Sequence, residues 1–268
     1  MISSLENSLV KQAVHLRERH WRNKLGLFLI EGYREILRAQ ESKTKLDHLF
    51  VCPELFLGVN EPKLIEEARA SGCKIITCTD KVFKKISYRD RPDGLLAIAP
   101  QLPRDLHFLE EKLQGISSPL LIIAEAIEKP GNLGTILRSA DAAGAHGVII
   151  SNRCTDIYNP NVVRASCGTL FSVPVVEATS EEVLAWLHKW KIQIIAAMPQ
   201  AQALYTDINM TGPTAIAVGT EQLGLSHTWK TSAHIQARLP MCGKADSLNV
   251  AMATTLILYE ALRQRNTV

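Results

Sequence analysis

The stretch Leu239-Pro240-Met241-Cys242-Gly243-Lys244-Ala245-Asp246-Ser247-Leu248-Asn249-Val250-Ala251 carries the most information about the fold of this chain. In it, a turn-rich polar loop runs directly into a helical pattern. Asp246 and Ser247 are good N-cap residues. Apolar or small side chains then recur at helical spacing on one face: Leu248, Ala251, Met252, Thr255, Leu256, Tyr259 and Leu262. The stretch predicts a helix over 247–264 whose start offers backbone N–H groups and polar side chains to a polar ligand.

Two upstream segments have the same strand–loop–helix form. After the apolar run 120–124, Pro130-Gly131-Asn132 ends the strand and a helical stripe begins at Leu133. Helical side chains lean toward the helix N-terminus, so we expect Arg138 to reach over Gly134 toward Asn132. The second segment, 215–225, reads as a buried strand that ends in a glycine turn with Glu221 at its tip.

These three junctions bring polar residues to the ends of strands. In open α/β sheets, ligands bind beyond the carboxyl ends of the strands, which predicts one shared crevice. The residues expected there are Asn132, Arg138, Glu221, Ser247 and Asn249.

Strand and helix patterns alternate along both halves of the chain, which indicates an α/β fold. Residues 3–20 read as one amphipathic helix. The Pro-rich run 100–104 breaks the alternation, so we predict a first domain at 1–103, a linker with a short helix at 104–118 and a second domain at 119–268.

Composition narrows the functional classes. Of 268 residues, 46% are apolar, enough for a proper core, and no apolar run approaches the ~20 residues of a membrane span. Six Cys residues occur without a C-x-x-C pair or a Cys/His cluster, so we predict no metal site and reduced thiols in a cytoplasmic protein.

The net charge of +3 does not by itself require a nucleic-acid partner, but two basic runs lie in the first third of the chain. One basic run is more often a solvated helix face, whereas clustered cations are also the footprint of phosphate binding. The candidate RNA-binding residues are Lys11, Arg17, Arg19, Arg22, Lys84, Lys85, Arg89 and Arg91.

The patterns N-x-G-x-x-x-R from Asn132, V-G-x-E-x-x-G-L from Val218 and L-P-M-x-G-x-x-x-S-L-N-V-A from Leu239 resemble the three signature motifs of the SpoU/TrmH family. These are SPOUT-class RNA ribose 2′-O-methyltransferases that use S-adenosylmethionine. Any one motif would be weak, but all three occur in order. The first third, with 28–32 and 92–98, more loosely resembles the family's small RNA-substrate-binding domain.

The resemblance implies an L30e-like α/β first domain and a SPOUT α/β methyltransferase domain with a C-terminal trefoil knot. It also implies a homodimer with active sites near the subunit interface. It places Asn132, Glu221, Ser247 and Asn249 at the active site. The matching Arg138 is proposed in the family to help deprotonate the ribose hydroxyl; since arginine is effectively always protonated, we expect it to bind phosphate and stabilise the developing alkoxide. The group that removes the proton stays open.

Several of these residues also have an ordinary structural interpretation. Asn132 suits a turn or N-cap, Glu221 a surface carboxylate, and Ser247 an N-cap, whereas Asn249 inside the first helical turn is a poorer helix former. The resemblance implies that the cofactor is held by Gly219, Leu239, Met241, Leu248 and Asn249. Core packing is the alternative for the three apolar side chains.

We therefore expect S-adenosylmethionine-dependent methylation of a ribose 2′-hydroxyl in structured RNA, with ribosomal RNA preferred over transfer RNA. The alternatives are a transfer RNA 2′-O-methyltransferase, a base-directed methyltransferase of the same superclass, and a non-catalytic RNA-binding or ribosome-assembly protein on the same fold. A nucleotide-binding dehydrogenase is disfavoured because no G-x-G-x-x-G follows a strand.

Overall fold

The computed structural model describes residues 1–102 and 104–266. The helices are α1 (Ser8–His15), α2 (Arg19–Leu25), α3 (Tyr33–Glu41), α4 (Glu61–Ala70), α5 (Asp80–Ile86), α6 (Leu106–Lys112), α7 (Pro130–Ala142), α8 (Pro160–Ala165), α9 (Thr169–Ser172), α10 (Ser180–Lys189), α11 (His227–Ser232) and α12 (Val250–Asn266). The strands are β1 (Leu27–Glu31), β2 (His48–Val51), β3 (Lys74–Thr77), β4 (Leu95–Pro100), β5 (Leu120–Glu125), β6 (Gly147–Ser151), β7 (Val175–Ala178), β8 (Gln193–Ala197), β9 (Ala203–Leu204), β10 (Thr214–Val218) and β11 (Ile235–Arg238). Short 3-10 helices span Pro53–Leu55 and Tyr205–Asp207.

Contacts group the chain into two compact units, the first from 1–102 with 156–172 and the second from 103–155 with 173–268. Compact units are not the same as independently folding domains, so the division predicted at 103 and 119 stays a prediction. The predicted linker 104–118 does contain a helix, α6, and its Leu109 and Leu113 belong to the core of the second unit.

The first unit is built on a four-stranded sheet in the order β1-β4-β2-β3, with only the β2–β3 pair parallel. Strand β4 is central, and its residues Leu95 to Ala99 are fully buried. Such burial on both faces explains its unbroken apolar run. Helices α1 and α5 cover the core on one side, with Val10, Leu16 and Phe83 buried.

The helix predicted over 3–20 is wrong in its extent, because the chain forms two helices there. Asn7 caps α1 by accepting a hydrogen bond from the Leu9 N–H, and α1 ends at His15. Glu18 then takes an extended conformation before α2 begins. Arg17 between the helices donates to the carbonyls of Lys85 and Ser87, which holds the break in place.

The second unit contains a seven-stranded sheet in the order β7-β6-β5-β10-β8-β11-β9, in which every described pair is parallel. A parallel sheet needs helices on both faces, which accounts for the fully buried strands β5 and β10. Trp229 of α11 is fully buried and donates its indole N–H to Ser180 Oγ at 2.8 Å. The predicted α/β fold is confirmed, whereas the trefoil knot and the L30e-like character of the first domain stay predictions.

The final helix differs from its prediction in where it begins and in which face it packs. It begins at Val250, and Asn249 rather than Ser247 caps it, since Asn249 Oδ1 accepts from the N–H groups of Ala251 and Met252. The packed face holds Ala251, Thr254, Ile257, Leu258 and Ala261. The helix is apolar on two sides, so periodicity alone could not tell which side meets the sheet and α7.

Its other apolar side stays exposed, with Met252 at 59%, Leu256 at 44% and Tyr259 at 48%, and Leu248 in the loop just before the helix is 40% exposed. Among the described residues, no helix combines the length and apolarity that a membrane crossing requires.

Candidate active site

Three sequence-predicted loops meet at one edge of the parallel sheet of the second unit. The loops after β5, β10 and β11 all leave carboxyl ends of strands, and β5 is paired directly to β10. A cavity of about 480 Å³ opens there. Its walls come mainly from the loop after β8, the loop Gly219 to Leu225 and the loop that leads into α12. The crevice predicted at the carboxyl ends of the strands is therefore present.

Three of the predicted residues form one hydrogen-bonded line. Asn132 donates from Nδ2 to Glu221 Oε1 at 2.5 Å, and Asn249 donates from Nδ2 to Asn132 Oδ1 at 3.0 Å. Because the Asn249 side chain also caps α12, each amide in the line is fixed at both ends. The line joins the start of α7, the glycine turn after β10 and the start of α12.

Glu221 is held as a carboxylate. Burial raises the pKa of its carboxyl, but hydrogen bonds from Asn132 and from the backbone, including the N–H groups of Glu128 and Lys129, outweigh this and leave the pKa below its ordinary value. A carboxyl with a lowered pKa is a weak base near neutral pH. The geometry therefore makes Glu221 an anionic acceptor that positions Asn132.

The turn that carries Glu221 is closed by its own backbone. Thr220 and Gly224 exchange both N–H···O bonds, at 3.1 and 3.0 Å. A Cβ on Gly219 would lie far inside van der Waals contact with the Gly224 and Leu225 backbone, so only glycine fits there. This places the Gly219 backbone directly in the cavity wall.

The remaining predicted cofactor residues also line the cavity. Leu239 and Met241 are half-buried and Leu248 is 40% exposed, so core packing does not account for them. Ser247 is exposed in the cavity wall, and the helix-capping role expected of it belongs to Asn249. These side chains present apolar surface next to backbone amides, an arrangement suited to a ligand with a flat heterocycle and polar substituents.

Arg138 lies on the exposed face of α7. It follows Asn132 by six residues, so the two side chains leave the helix about 120° apart. Gly134 is buried one turn before Arg138, as expected from the sequence. The approach of the guanidinium toward Asn132 stays a prediction.

The basic residues of the first unit divide into two groups. Arg22 is 1% exposed and donates to Asp156 Oδ2 and to two backbone carbonyls, so its prediction as an RNA contact is wrong. Arg89 is largely buried between Glu35 and Asp93 and donates to the Glu31 carbonyl. A buried charge is stable only when it is paired. Both guanidiniums are therefore taken up by ion pairs inside the first unit.

The other group is accessible to solvent. Its members are Lys11, Arg19, Lys84, Lys85 and Arg91, with Arg17 half-buried. Lys11 and Lys84 form exposed ion pairs with Glu6 and Asp80, which contribute little to stability and can exchange for phosphate. Whether any of them binds RNA stays a prediction.

Sequence reasoning missed several residues around the cavity. Glu125 is 3% exposed and accepts from the Ser226 N–H at 2.7 Å, which anchors the end of the glycine turn. Met198, Pro199 and Gln200 line the cavity from the carboxyl end of β8. The strand-end rule would have found this segment, because it follows the carboxyl end of β8 directly.

Within the described ranges, no group of three or more His, Cys, Asp or Glu side chains is arranged to hold a metal ion. Comparison with known proteins gives two family matches. The SpoU rRNA Methylase family model matches residues 119–259, and a model described as the MRM3-like substrate binding domain matches residues 7–97.

Two curated relatives are similar over nearly the whole chain. The 23S rRNA (uridine(2479)-2′-O)-methyltransferase of Streptomyces viridochromogenes is 32% identical over 256 residues, which cover 93% of this chain and 87% of the relative. The 23S rRNA (guanosine(2553)-2′-O)-methyltransferase of Bacillus subtilis is 28% identical over 96% of this chain and 97% of the relative. An AdoMet-bound rRNA methyltransferase structure from Sinorhizobium meliloti has a TM-score of 0.88 at 30% identity, covering 98% of this chain and 97% of that one.

Proposed function

Because the chain belongs to the SpoU rRNA methylase family, we propose that it transfers the methyl group of S-adenosylmethionine to a ribose 2′-hydroxyl of ribosomal RNA. The observation that carries this proposal is the Glu221–Asn132–Asn249 line at the rim of the cavity. The line is built from all three motif segments at once, and a protein that only bound RNA would have no need of it.

The cavity fits S-adenosylmethionine. Its volume of about 480 Å³ lies in the range of small-molecule sites. Leu239, Met241 and Leu248 would contact the adenine, and the Gly219 backbone would accept close approach of the ribose because no side chain stands in the way. When bound, the cofactor supplies an electrophilic methyl carbon on a sulfonium.

The residues of the chain would then align and activate the hydroxyl. Arg138 binds phosphate bidentately and stabilises the alkoxide that develops on the ribose. Glu221 fixes Asn132, and Asn132 with Asn249 offers an amide surface that orients the ribose. Ser247 lies beside this surface in the cavity wall. Because these dipoles are already oriented, they need not reorganise when negative charge develops on the ribose oxygen.

Ribosomal RNA is favoured over transfer RNA as the substrate because both curated relatives described above are named as 23S rRNA enzymes. Those relatives modify different nucleotides, a uridine and a guanosine, so the modified position is not carried over to this chain. Exposed cations of the first unit, including Arg19 and Lys85, would contact the RNA backbone. The proposed location is the cytoplasm.

We also propose a homodimer. The exposed apolar side of α12 carries Met252, Leu256 and Tyr259 at successive helical turns. An isologous contact would bury such a stripe against its own copy. Since α12 begins at the active site, this interface would bring Arg138 or the first unit of one subunit near the site of the other.

The reaction is tested with radiolabelled S-adenosylmethionine and unmodified RNA separated into ribosomal and transfer fractions. Digestion of the product should yield a 2′-O-methylated nucleoside from the ribosomal fraction. Label on a base would overturn the target atom, and label confined to transfer RNA would overturn the substrate class. Cofactor binding without label in any fraction would favour the non-catalytic interpretation, unless a ribosome-assembly intermediate restores transfer.

The role of Arg138 is tested by Arg138→Ala. Loss of the alkoxide contact should lower methyl transfer at least about a hundredfold, the cost of removing one donor to a developing oxyanion. S-adenosylmethionine binding, measured by calorimetry, should change less than about threefold. Arg153→Ala is the matched control, because Arg153 lies on the loop after β6 of the same unit and pairs with Glu177 of β7. Near-normal turnover of Arg138→Ala would sink the proposed role.

A further inference from the structure

The first unit carries a group of aromatic and basic side chains where α1 gives way to α2. His15 ends α1, and His20 and Trp21 lie in the first turn of α2. The His15 and Trp21 rings stack with centroids 4.5 Å apart and planes at 9°, and the His20 ring meets Trp21 edge-on at 5.7 Å. The Lys24 ammonium lies 4.9 Å from the centroid of the Trp21 ring. We refer to His15, His20, Trp21 and Lys24 as the Trp21 cluster.

The break between α1 and α2 creates the ring stack. In one continuous helix, His15 and Trp21 lie six positions apart and their side chains would leave the helix about 120° apart. Arg22 fixes the break, because its guanidinium donates to the carbonyls of Leu16 and Arg17. The two rings are therefore held face to face before any ligand arrives, which lowers the entropy cost of binding one.

Trp21 differs from the other tryptophans of the chain in its hydrogen bonding. Each of the other three donates its indole N–H to a side chain, namely Glu110 for Trp186 and Trp190 and Ser180 for Trp229. Trp21 is half-buried, yet within the described ranges its indole N–H donates to no acceptor and is not closed off from solvent. A tryptophan that keeps an unused donor at the surface is typical of a binding interface.

The surroundings of the Trp21 cluster are accessible and positively charged. His15 stays exposed although one face of its ring lies against Trp21, and Lys24 is exposed as well. Residues 8–26 contain five Lys and Arg residues, of which only Arg22 is buried, and a single acidic residue, Glu18. Aromatic rings among cations bind single-stranded nucleic acid, because bases stack on the rings while phosphates meet the cations.

We propose that the Trp21 cluster binds one unpaired base of the RNA substrate by stacking. The base lies on the face of His15 that is turned away from Trp21, and so extends the column of rings. Lys24 and Lys11, which is exposed one turn before His15 on α1, hold the adjoining phosphates. The inference rests on the proposed RNA substrate, and it requires that this substrate present a single-stranded segment to the first unit.

The test measures, by fluorescence anisotropy, how tightly the full chain binds two labelled strands of equal length. One is an oligoadenylate RNA, and the other is the same ribose-phosphate strand without bases. Both carry the same phosphates, so a difference in affinity reports on the bases. The oligoadenylate should bind at least about fivefold more tightly, the ratio that one stacked base provides. Equal affinity for the two strands would overturn the inference and favour a protein partner for this surface.

Two variants test whether the Trp21 cluster supplies this preference. In His15→Ala and in Trp21→Leu, the preference for the strand with bases should disappear, whereas Trp21→Phe, which keeps a ring behind His15, should retain most of it. Trp190→Leu is the matched control, because Trp190 is 43% exposed and lies under the Lys189 ammonium, but in the second unit. Thermal unfolding checks each variant, and the exposed position of His15 keeps the test valid if Trp21→Leu is unstable.

An unchanged preference in His15→Ala would also overturn the inference, because the base would then stack elsewhere. The binding assay needs neither S-adenosylmethionine nor methyl transfer. A preference that depends on His15, found without methyl transfer, would therefore contradict the proposed function alone. Methyl transfer to ribosomal RNA without such a preference would contradict the stacking inference alone.

Discussion

Asn249 illustrates how one side chain serves structure and chemistry together. Its Oδ1 caps α12 by accepting from Ala251 and Met252, while its Nδ2 donates to Asn132. The cost expected for Asn inside a helix does not arise, because Asn is among the favoured residues at the N-cap. An aspartate could cap the helix but could not donate to Asn132, so the amide is required by the second role.

At the same scale, Glu221→Gln should slow methyl transfer about ten- to a hundredfold, because the charge-assisted bond to Asn132 becomes a neutral one. The affinity for S-adenosylmethionine should fall less than the turnover. Glu128→Gln, exposed on the neighbouring loop, is the control and should leave both unchanged. Equal losses in affinity and turnover would instead make Glu221 a cofactor ligand.

The pH dependence follows from the lowered pKa of Glu221. A carboxyl whose pKa is lower in the folded state stabilises the fold above its ordinary pKa, and that contribution is lost as the pH falls through the lowered value. Between pH 5 and 9 Glu221 stays ionised, so comparison of Glu221→Gln with the unaltered chain should show a constant activity ratio. A ratio that changes around neutral pH would indicate that Glu221 acts as a general base.

At the scale of elements, the buried Arg22–Asp156 pair joins α2 to the segment that precedes α8, within the first unit. The Arg22 Nε and Nη2 atoms approach Asp156 Oδ2 at 2.8 and 2.7 Å, and both side chains are almost completely buried. Residues 134 positions apart in sequence are thereby held in one compact unit.

Asp156→Ala should cost about 3–5 kcal/mol of unfolding free energy, because it leaves the Arg22 charge buried and unpaired. Urea unfolding measures the loss. The double variant Arg22→Met with Asp156→Leu should lose less than Asp156→Ala alone, since no buried charge remains. A single variant within 1 kcal/mol of the unaltered chain would show that water reaches the pair.

At the scale of the whole molecule, burial separates the cysteines into reactive and protected thiols. Burial raises the pKa of the Cys73 thiol to about 11 and that of Cys78 to about 12. Cys242 lies exposed in the loop that leads to α12. Since only the thiolate reacts, alkylation by iodoacetamide at pH 8 should modify Cys242 at least ~100-fold faster than the two buried thiols.

Peptide mass spectrometry of samples taken over time measures the alkylation rates of Cys73, Cys78 and Cys242. In guanidinium chloride the buried thiols should react as fast as Cys242, which confirms that the fold protects them. Added S-adenosylmethionine should slow only Cys242, because its neighbour Met241 lines the cavity. Protection of Cys73 by the cofactor would place the binding site elsewhere.

Local sequence patterns were enough to predict the fold class and the positions of the three motif loops. Parallel strands bury both faces, so β5, β6 and β10 appear as plain apolar runs. The prediction that Pro130-Gly131-Asn132 ends β5 is wrong, because β5 ends at Glu125 and these three residues form the first turn of α7. Local patterns also placed Asn132, Glu221 and Asn249 at strand ends or helix starts. Such patterns report only on residues that are close to one another in the sequence.

Which of these residues are in contact, and which charges are exposed, depends on the folded structure. Arg19 and Arg22 lie in the same basic run of the sequence. Arg22 is buried in an ion pair with Asp156, which is far along the chain, whereas Arg19 is exposed. The packed side of α12 likewise depends on residues brought together from distant segments. Burial and pairing are properties of contacts in space, and no periodicity in a single segment encodes them.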